Sequence, residues 1–149
     1  MRKLKNKELN RLKLEEFKST KKLPIVIVLD NVRSAHNVGS IFRTSDAFLI
    51  EKVMLCGICP TPPKNEIRKT ALGATESMDW EYFENTADCI KTLAEKDFSI
   101  LSIEQADNSV ELQDFEIDSS KKIALIFGNE VNGVSNECIA LSDGVIEIP

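Results

Sequence analysis

The stretch "LPIVIVLDNVRSAHNVGSIFRTSDAF", residues 23–48, contains both periods from which the fold is read. Its first eight residues are an unbroken apolar, β-branched run ending on Asp30. A strand with one wet face would alternate; this pattern belongs to a strand buried on both faces. From about Asn37 to Leu49 the period becomes helical. Val38, Ile41, Phe42, Ser45, Phe48 and Leu49 fall on one side of that helix and Arg43 nearly opposite. Asn37 stands where a helix cap belongs, and Gly39 leaves room for close approach. The unit is strand, turn-rich loop, helix.

The same alternation continues outward along the chain. Strands are expected at "KVMLCGI", "DWEYF", "FSILSIE", "KIALIF" and "GVIEI". Between them lie a loop with a short helix stopped near Gly73, and a helix capped by Asn85 with Ile90, Leu93 and Ala94 on one face. A polar stretch runs to about Ser120, and the loop "GNEVNGVS" leads into a short helix capped by Ser135. Buried strands alternating with helices imply an α/β fold with a mostly parallel sheet covered on both faces. Ligands of such sheets gather at the carboxyl ends of the strands. The loops after Asp30, Glu104, Phe127 and Ile148 are therefore the informative ones.

At 149 residues the chain is one domain, long enough to bury about two thirds of its unfolded surface. The net charge of −5 is unevenly spread. Residues 1–22 hold nine Lys/Arg against three Glu, a net +6; the other 127 hold ten against twenty-one, a net −11. Residues 1–22 are read as a basic helical extension, with Leu4, Leu9, Leu12 and Phe17 near helical spacing, and residues 23–149 as the body. A basic arm on an acidic body attracts phosphate despite the acidic average. No apolar run reaches the ~20 residues of a membrane span and the N-terminus is not signal-like, so a cytoplasmic protein is expected. "CGIC" at 56–59 lacks the second ligand pair that zinc needs, and it closes a strand where a redox motif would open a helix. Cys56, Cys59, Cys89 and Cys138 are read as buried reduced thiols, and no metal is expected.

Two loops can carry chemistry. The first has a single glycine where the dinucleotide fingerprint needs three, and it lacks the Gly-Lys-Ser/Thr of a phosphate loop. The second, "LIFGNEVNGVS" from Leu125 to Ser135, sets Gly128 and Gly133 around Glu130 at the sheet edge, where Arg43 is expected to find a partner. Each alone fits an ordinary turn. Together, "NVGSIFRT", "FGNEVNGVS" and the final "IEIP" resemble the SpoU/TrmH class of the SPOUT methyltransferases, over essentially all of the chain after the basic arm.

That resemblance implies methylation of a ribose 2′-hydroxyl in structured RNA (tRNA or rRNA) from S-adenosylmethionine, by a homodimer with an α/β knot. Family members continue past this proline through a Ser-Leu-Asn motif that completes the knot, so the knot-completing segment is expected to be missing from this chain. The resemblance makes Arg43 the catalytic residue, supported by Asn37 and Glu130. Ile103, Glu104, Gly128, Asn129 and Ile148 would line the cofactor pocket. Neutralising an arginine near pH 7 costs about 7.5 kcal/mol. A charged Arg43 that holds a phosphate and stabilises a developing alkoxide is therefore favoured over proton abstraction. A catalytically silent RNA-binding or assembly module of the same fold is the alternative. His36 reads as a local turn residue, and Arg68 and Lys69 either face the substrate or cover a sheet edge.

Overall fold

The computed structural model describes all 149 residues. Seven strands form one sheet: β1 Leu23–Asp30, β2 Ile50–Cys56, β3 Trp80–Phe83, β4 Phe98–Ile103, β5 Val110–Glu111, β6 Lys122–Phe127 and β7 Gly144–Glu147. All pairings are parallel, in the order β3-β2-β1-β6-β4-β7-β5. The helices are α1 Leu14–Ser19, α2 Ala35–Ala47, α3 Asn65–Ala71, α4 Ala74–Ser77, α5 Thr86–Glu95 and α6 Asn136–Ala140. The α/β sheet expected from the sequence is present.

Successive strand residues point to opposite faces, and the apolar run of β1 feeds two cores accordingly. Ile27 and Leu29 join Val53, Leu55, Val38, Phe42 and Ile67 on the α2–α3 side. Val26 and Val28 join Met54, Ala124, Ile126, Ile100, Ile90 and Cys138 on the α5–α6 side. The pairing of Ile27 with Leu125 and of Val28 with Ile126 keeps each set on its own face. A one-residue slip would exchange them. All four cysteines are unpaired and buried. The hydrogen-bonded Cys89 thiol and then burial push the Cys56 thiol up, and burial brings Cys59 and Cys138 each to about 11.

Several local expectations are corrected. Residues 1–22 do not form one helix. A single turn at Asn6–Glu8 is followed by extended backbone and then by α1. Short helices need tertiary packing, and only Phe17 of this segment is buried, while Leu4, Leu12 and Leu14 are exposed. Because Phe17 belongs to the main core, the segment is not a free arm. In α2, Ser34 is the cap and not Asn37: the Ser34 Oγ accepts from the Asn37 N–H at 3.2 Å. Phe48 was assigned to the inner face but is 65% exposed. The helix ends at Ala47, and Phe48 is its C-cap with non-helical backbone, so the helical phase no longer holds there. Strand β5 lies inside the stretch read as merely polar; it is two exposed residues held to β7, too short to show a period.

Phe42 lies on α2, packed into the first core and fully buried. Phe42→Ala is expected to destabilise the fold by about 3–5 kcal/mol, measured by urea unfolding at neutral pH.

Candidate functional site

The loops at the carboxyl ends of β1, β4, β6 and β7 meet at one edge of the sheet. Several of their main-chain amides have no strand partner, and acidic side chains take that place. Asp30, 2% exposed at the end of β1, accepts from the Ser135 N–H at 2.9 Å and from the Thr86 hydroxyl at 2.7 Å. Asn31 donates its side-chain amide to Asp30 at 3.0 Å and accepts from the Ile58 N–H, which steadies its own left-handed φ of 56°. Glu104 accepts from the Val134 N–H and from the N–H of Gln105, both at 2.9 Å.

The loop 128–135 folds back on itself. Asn129 and Gly133 exchange main-chain hydrogen bonds, and the Asn129 side-chain oxygen accepts from the Val131 and Asn132 N–H groups. The Asn129 amide donates to the Asn31 carbonyl at 2.8 Å, which fixes this loop to the first one. Gly133 has a φ of 66°, and a Cβ there would collide with the Glu104 carboxylate. A Cβ on Gly128 would collide with the Gly133 main chain. Both glycines are thus required by close packing within the loop.

Glu130 makes the longest-range contact. Its two carboxylate oxygens accept from the Arg33 N–H at 2.9 Å, the Ser34 N–H at 3.0 Å and the Asn37 side-chain amide at 3.1 Å. Partial burial pushes this carboxyl up. The N–H groups of Arg33 and Ser34, its own main chain and the Asn37 amide outweigh that and bring it to about 2. Asn37 and Glu130 are therefore brought together as expected.

Arg43 is not paired with this loop. It lies further along α2 on the exposed side and makes no hydrogen bond or ion pair; the two ion pairs of the chain are Arg2–Glu8 and Lys52–Glu81. The expected partner on the loop is absent because Glu130 is filled by the start of α2. Arg43 instead opens onto a cavity of about 520 Å³ between α2 and α3. Gly39 explains how α3 comes so near: a Cβ at this position would meet the Thr70 hydroxyl and the Ile67 carbonyl. The close approach that this glycine permits is made by a helix of the same chain.

Ile103 is half-buried at the end of β4, and Ile148 is 54% exposed just after the neighbouring β7. The Glu104 carboxylate is engaged in holding the 133–134 turn. No group of three or more His, Cys, Asp or Glu side chains is arranged to hold a metal ion.

The model of the SpoU rRNA Methylase family matches residues 24–149, most of the chain and both of these loops. The chain belongs to the SpoU rRNA methylase family. It is 28% identical over 142 residues to the tRNA (guanosine(18)-2'-O)-methyltransferase of Thermus thermophilus, covering 95% of this chain and 71% of that protein. The A. aeolicus TrmH/SpoU tRNA modifying enzyme superposes with a TM-score of 0.78 at 26% identity, over 91% of this chain and 68% of that one. The AdoMet-bound rRNA methyltransferase of Sinorhizobium meliloti has the same fold, with a TM-score of 0.79 at 24% identity. This chain covers 51% of its length, and the match takes in 89% of the SpoU chain described here.

Two residues that hold this SpoU site together escaped the sequence reading. Asp30 was visible as a charge closing an apolar run, a pattern that asks for partners at the strand end. Ser34 was visible as a cap-type residue three positions before Asn37. Their signals competed with the stronger Asn-x-Gly pattern beside them.

The Glu130 clasp gives a pH test. A carboxyl lowered from the ordinary 4.5 to about 2 in the folded state contributes stability above its unfolded pKa and loses it as pH falls through the folded value. Glu130→Gln is expected to be less stable than the wild type near pH 7. The difference should shrink between about pH 4.5 and 2, measured by urea unfolding across that range.

Proposed function

We propose that this chain catalyses methylation of a ribose 2′-hydroxyl in tRNA or rRNA, with S-adenosylmethionine as the methyl donor and Arg43 at the reacting hydroxyl. One observation carries the reading. Glu130 clasps the start of α2, and the same helix presents Arg43, exposed and unpaired, to an open cleft. An arginine left without a carboxylate beside an ordered loop is available to an anionic substrate. Membership of the SpoU rRNA methylase family supports the reaction class, and the relatives' names support RNA as substrate.

The residues fit the cofactor in kind. Ile103 and Ile148 offer apolar surface at adjacent strand ends, and the glycines at 128 and 133 keep the neighbouring turn compact. Glu104 would set the shape of that wall through Val134. When bound, S-adenosylmethionine supplies an electrophilic methyl group. The protein's contribution lies with the hydroxyl. A guanidinium can hold the phosphate beside the target ribose with two parallel hydrogen bonds, which fixes the sugar. Its charge then stabilises negative charge on the 2′-oxygen as the hydroxyl proton passes to solvent water. Asn37 and Glu130 keep the first turn of α2, and so Arg43, in register with the loop. Glu130 acts here as a structural clasp, since its oxygens already accept three donors.

The same proposal takes in a homodimer and a cytoplasmic location. No helix of the chain is long and apolar enough to cross a membrane. It also takes in an RNA contact by the exposed cations of residues 1–12. Removing those residues spares the buried Phe17. It is expected to flatten the salt dependence of tRNA binding, measured by fluorescence anisotropy over a KCl series.

Arg43→Ala is expected to reduce methyl transfer to unmodified tRNA or rRNA by at least about 100-fold, while changing S-adenosylmethionine affinity by less than about threefold. Tritium transfer and calorimetry read the two quantities. Loss of cofactor binding in Arg43→Ala would remove Arg43 from the proposed role. Failure of the wild type to transfer methyl to either RNA would defeat the reading as a whole.

A further inference from the structure

The cleft that Arg43 opens onto contains two more basic side chains. His36 and Arg43 come from α2 and Lys69 from α3, and the remaining walls are Ser40, Thr44, Ala47, Phe48 and Thr70. No acidic residue lines it, and none of the three basic side chains makes a hydrogen bond or ion pair within the protein. This contrasts with the adjoining loops, where carboxylates accept from several main-chain amides. Arg43 and Lys69, two like charges on one cavity, repel each other unless an anion comes between them.

The spacing of these groups is fixed by packing. The Thr70 hydroxyl donates to the His36 carbonyl at 2.9 Å, which ties α3 to the first turn of α2. Gly39 removes the Cβ that would hold the helices apart. Lys69, next in the chain to Thr70, is therefore carried to the same cleft as Arg43 without any ion pair drawing it there. A binding group held in place before the ligand arrives loses less freedom on binding.

We propose that Lys69, assisted by His36, seats a phosphodiester of the RNA adjoining the target nucleotide, so that Arg43 is left to face the target ribose. The proposal rests on the reading of Arg43 given above and adds a second phosphate seat on a separate helix. The two cations suit different tasks. A planar guanidinium fixes geometry, whereas a lysine ammonium on a flexible stem holds charge with little directional demand. A backbone phosphate of RNA, reached without reading a base, is the anion that such a point charge fits.

The test uses the whole chain and a labelled, unmodified tRNA transcript, with binding measured between about 50 and 200 mM KCl. Lys69→Gln is expected to weaken binding several-fold at the low end and to reduce the slope of log Kd against log [KCl] by about 0.7–0.9, one phosphate contact. Lys69→Arg should restore the slope. In methyl transfer the effect of Lys69→Gln should fall on the KM for RNA rather than on kcat. Arg68→Gln, its neighbour on α3 outside the cleft, reports whether the loss is local. A Lys69→Gln slope equal to wild type overturns the proposal. So does an equal loss in Arg68→Gln, or no binding of the transcript by the wild-type chain. Because binding is read without methyl transfer, a wild type that binds with the expected slope but transfers nothing would defeat the methyltransferase reading and leave the phosphate seat standing.

Discussion

Main-chain amides at the carboxyl edge of the sheet must be satisfied where no strand continues, and in this protein carboxylates do it. Asp30 receives Ser135, Glu104 receives Val134 and Gln105, and Glu130 receives Arg33 and Ser34. At the opposite edge Asp143 receives Ile100 in the same way. A charged acceptor makes a stronger hydrogen bond than a neutral one, and a buried amide left bare is destabilising. Each of these acids therefore joins segments distant in sequence while ordering a loop. The result is a site with little slack, built from loops yet connected almost as closely as a core.

This arrangement limits what each acid can do. Glu130 has both oxygens committed to donors on the start of α2, so it holds geometry and does not collect protons. Glu104 is similarly committed to the turn at 133–134. The cations are treated in the opposite way: Arg43 and Lys69 are left without partners, beside His36, in a cleft free of acids. The protein separates the charges that build the site from those left without a partner.

The sequence displayed the fold plainly because burial on both faces leaves a one-dimensional mark. The run ending in Asp30 and the helical spacing of Val38, Phe42 and Ser45 were sufficient for the parallel sheet and for α2. That Asn37 and Glu130 belong to one site was legible only through the family resemblance, since residues 93 apart share no local period. The extent of the N-terminal helix was misjudged because apolar spacing says nothing about whether a surface exists to receive it; only Phe17 found one. Phe48 was misplaced because a helical wheel assumes that the helix continues. Lys69 was undecidable from its neighbours, since its position depends on how closely Gly39 lets two helices approach.

Strand order also bears on how the molecule is made. The central strand β6 pairs with β1 on one side and β4 on the other, yet it is the sixth to be synthesised. Until residues 122–127 leave the ribosome, β1 to β3 and β4 are separate pieces, with the inner edge of β1 open to any extended chain nearby. The same late strand delivers Glu130 to α2. A nascent chain halted before this point would carry Arg43 on an unclasped helix beside an unpaired edge. Joining of the two halves of the sheet and clasping of α2 by Glu130 are thus both set by the arrival of one short segment and the loop that follows it.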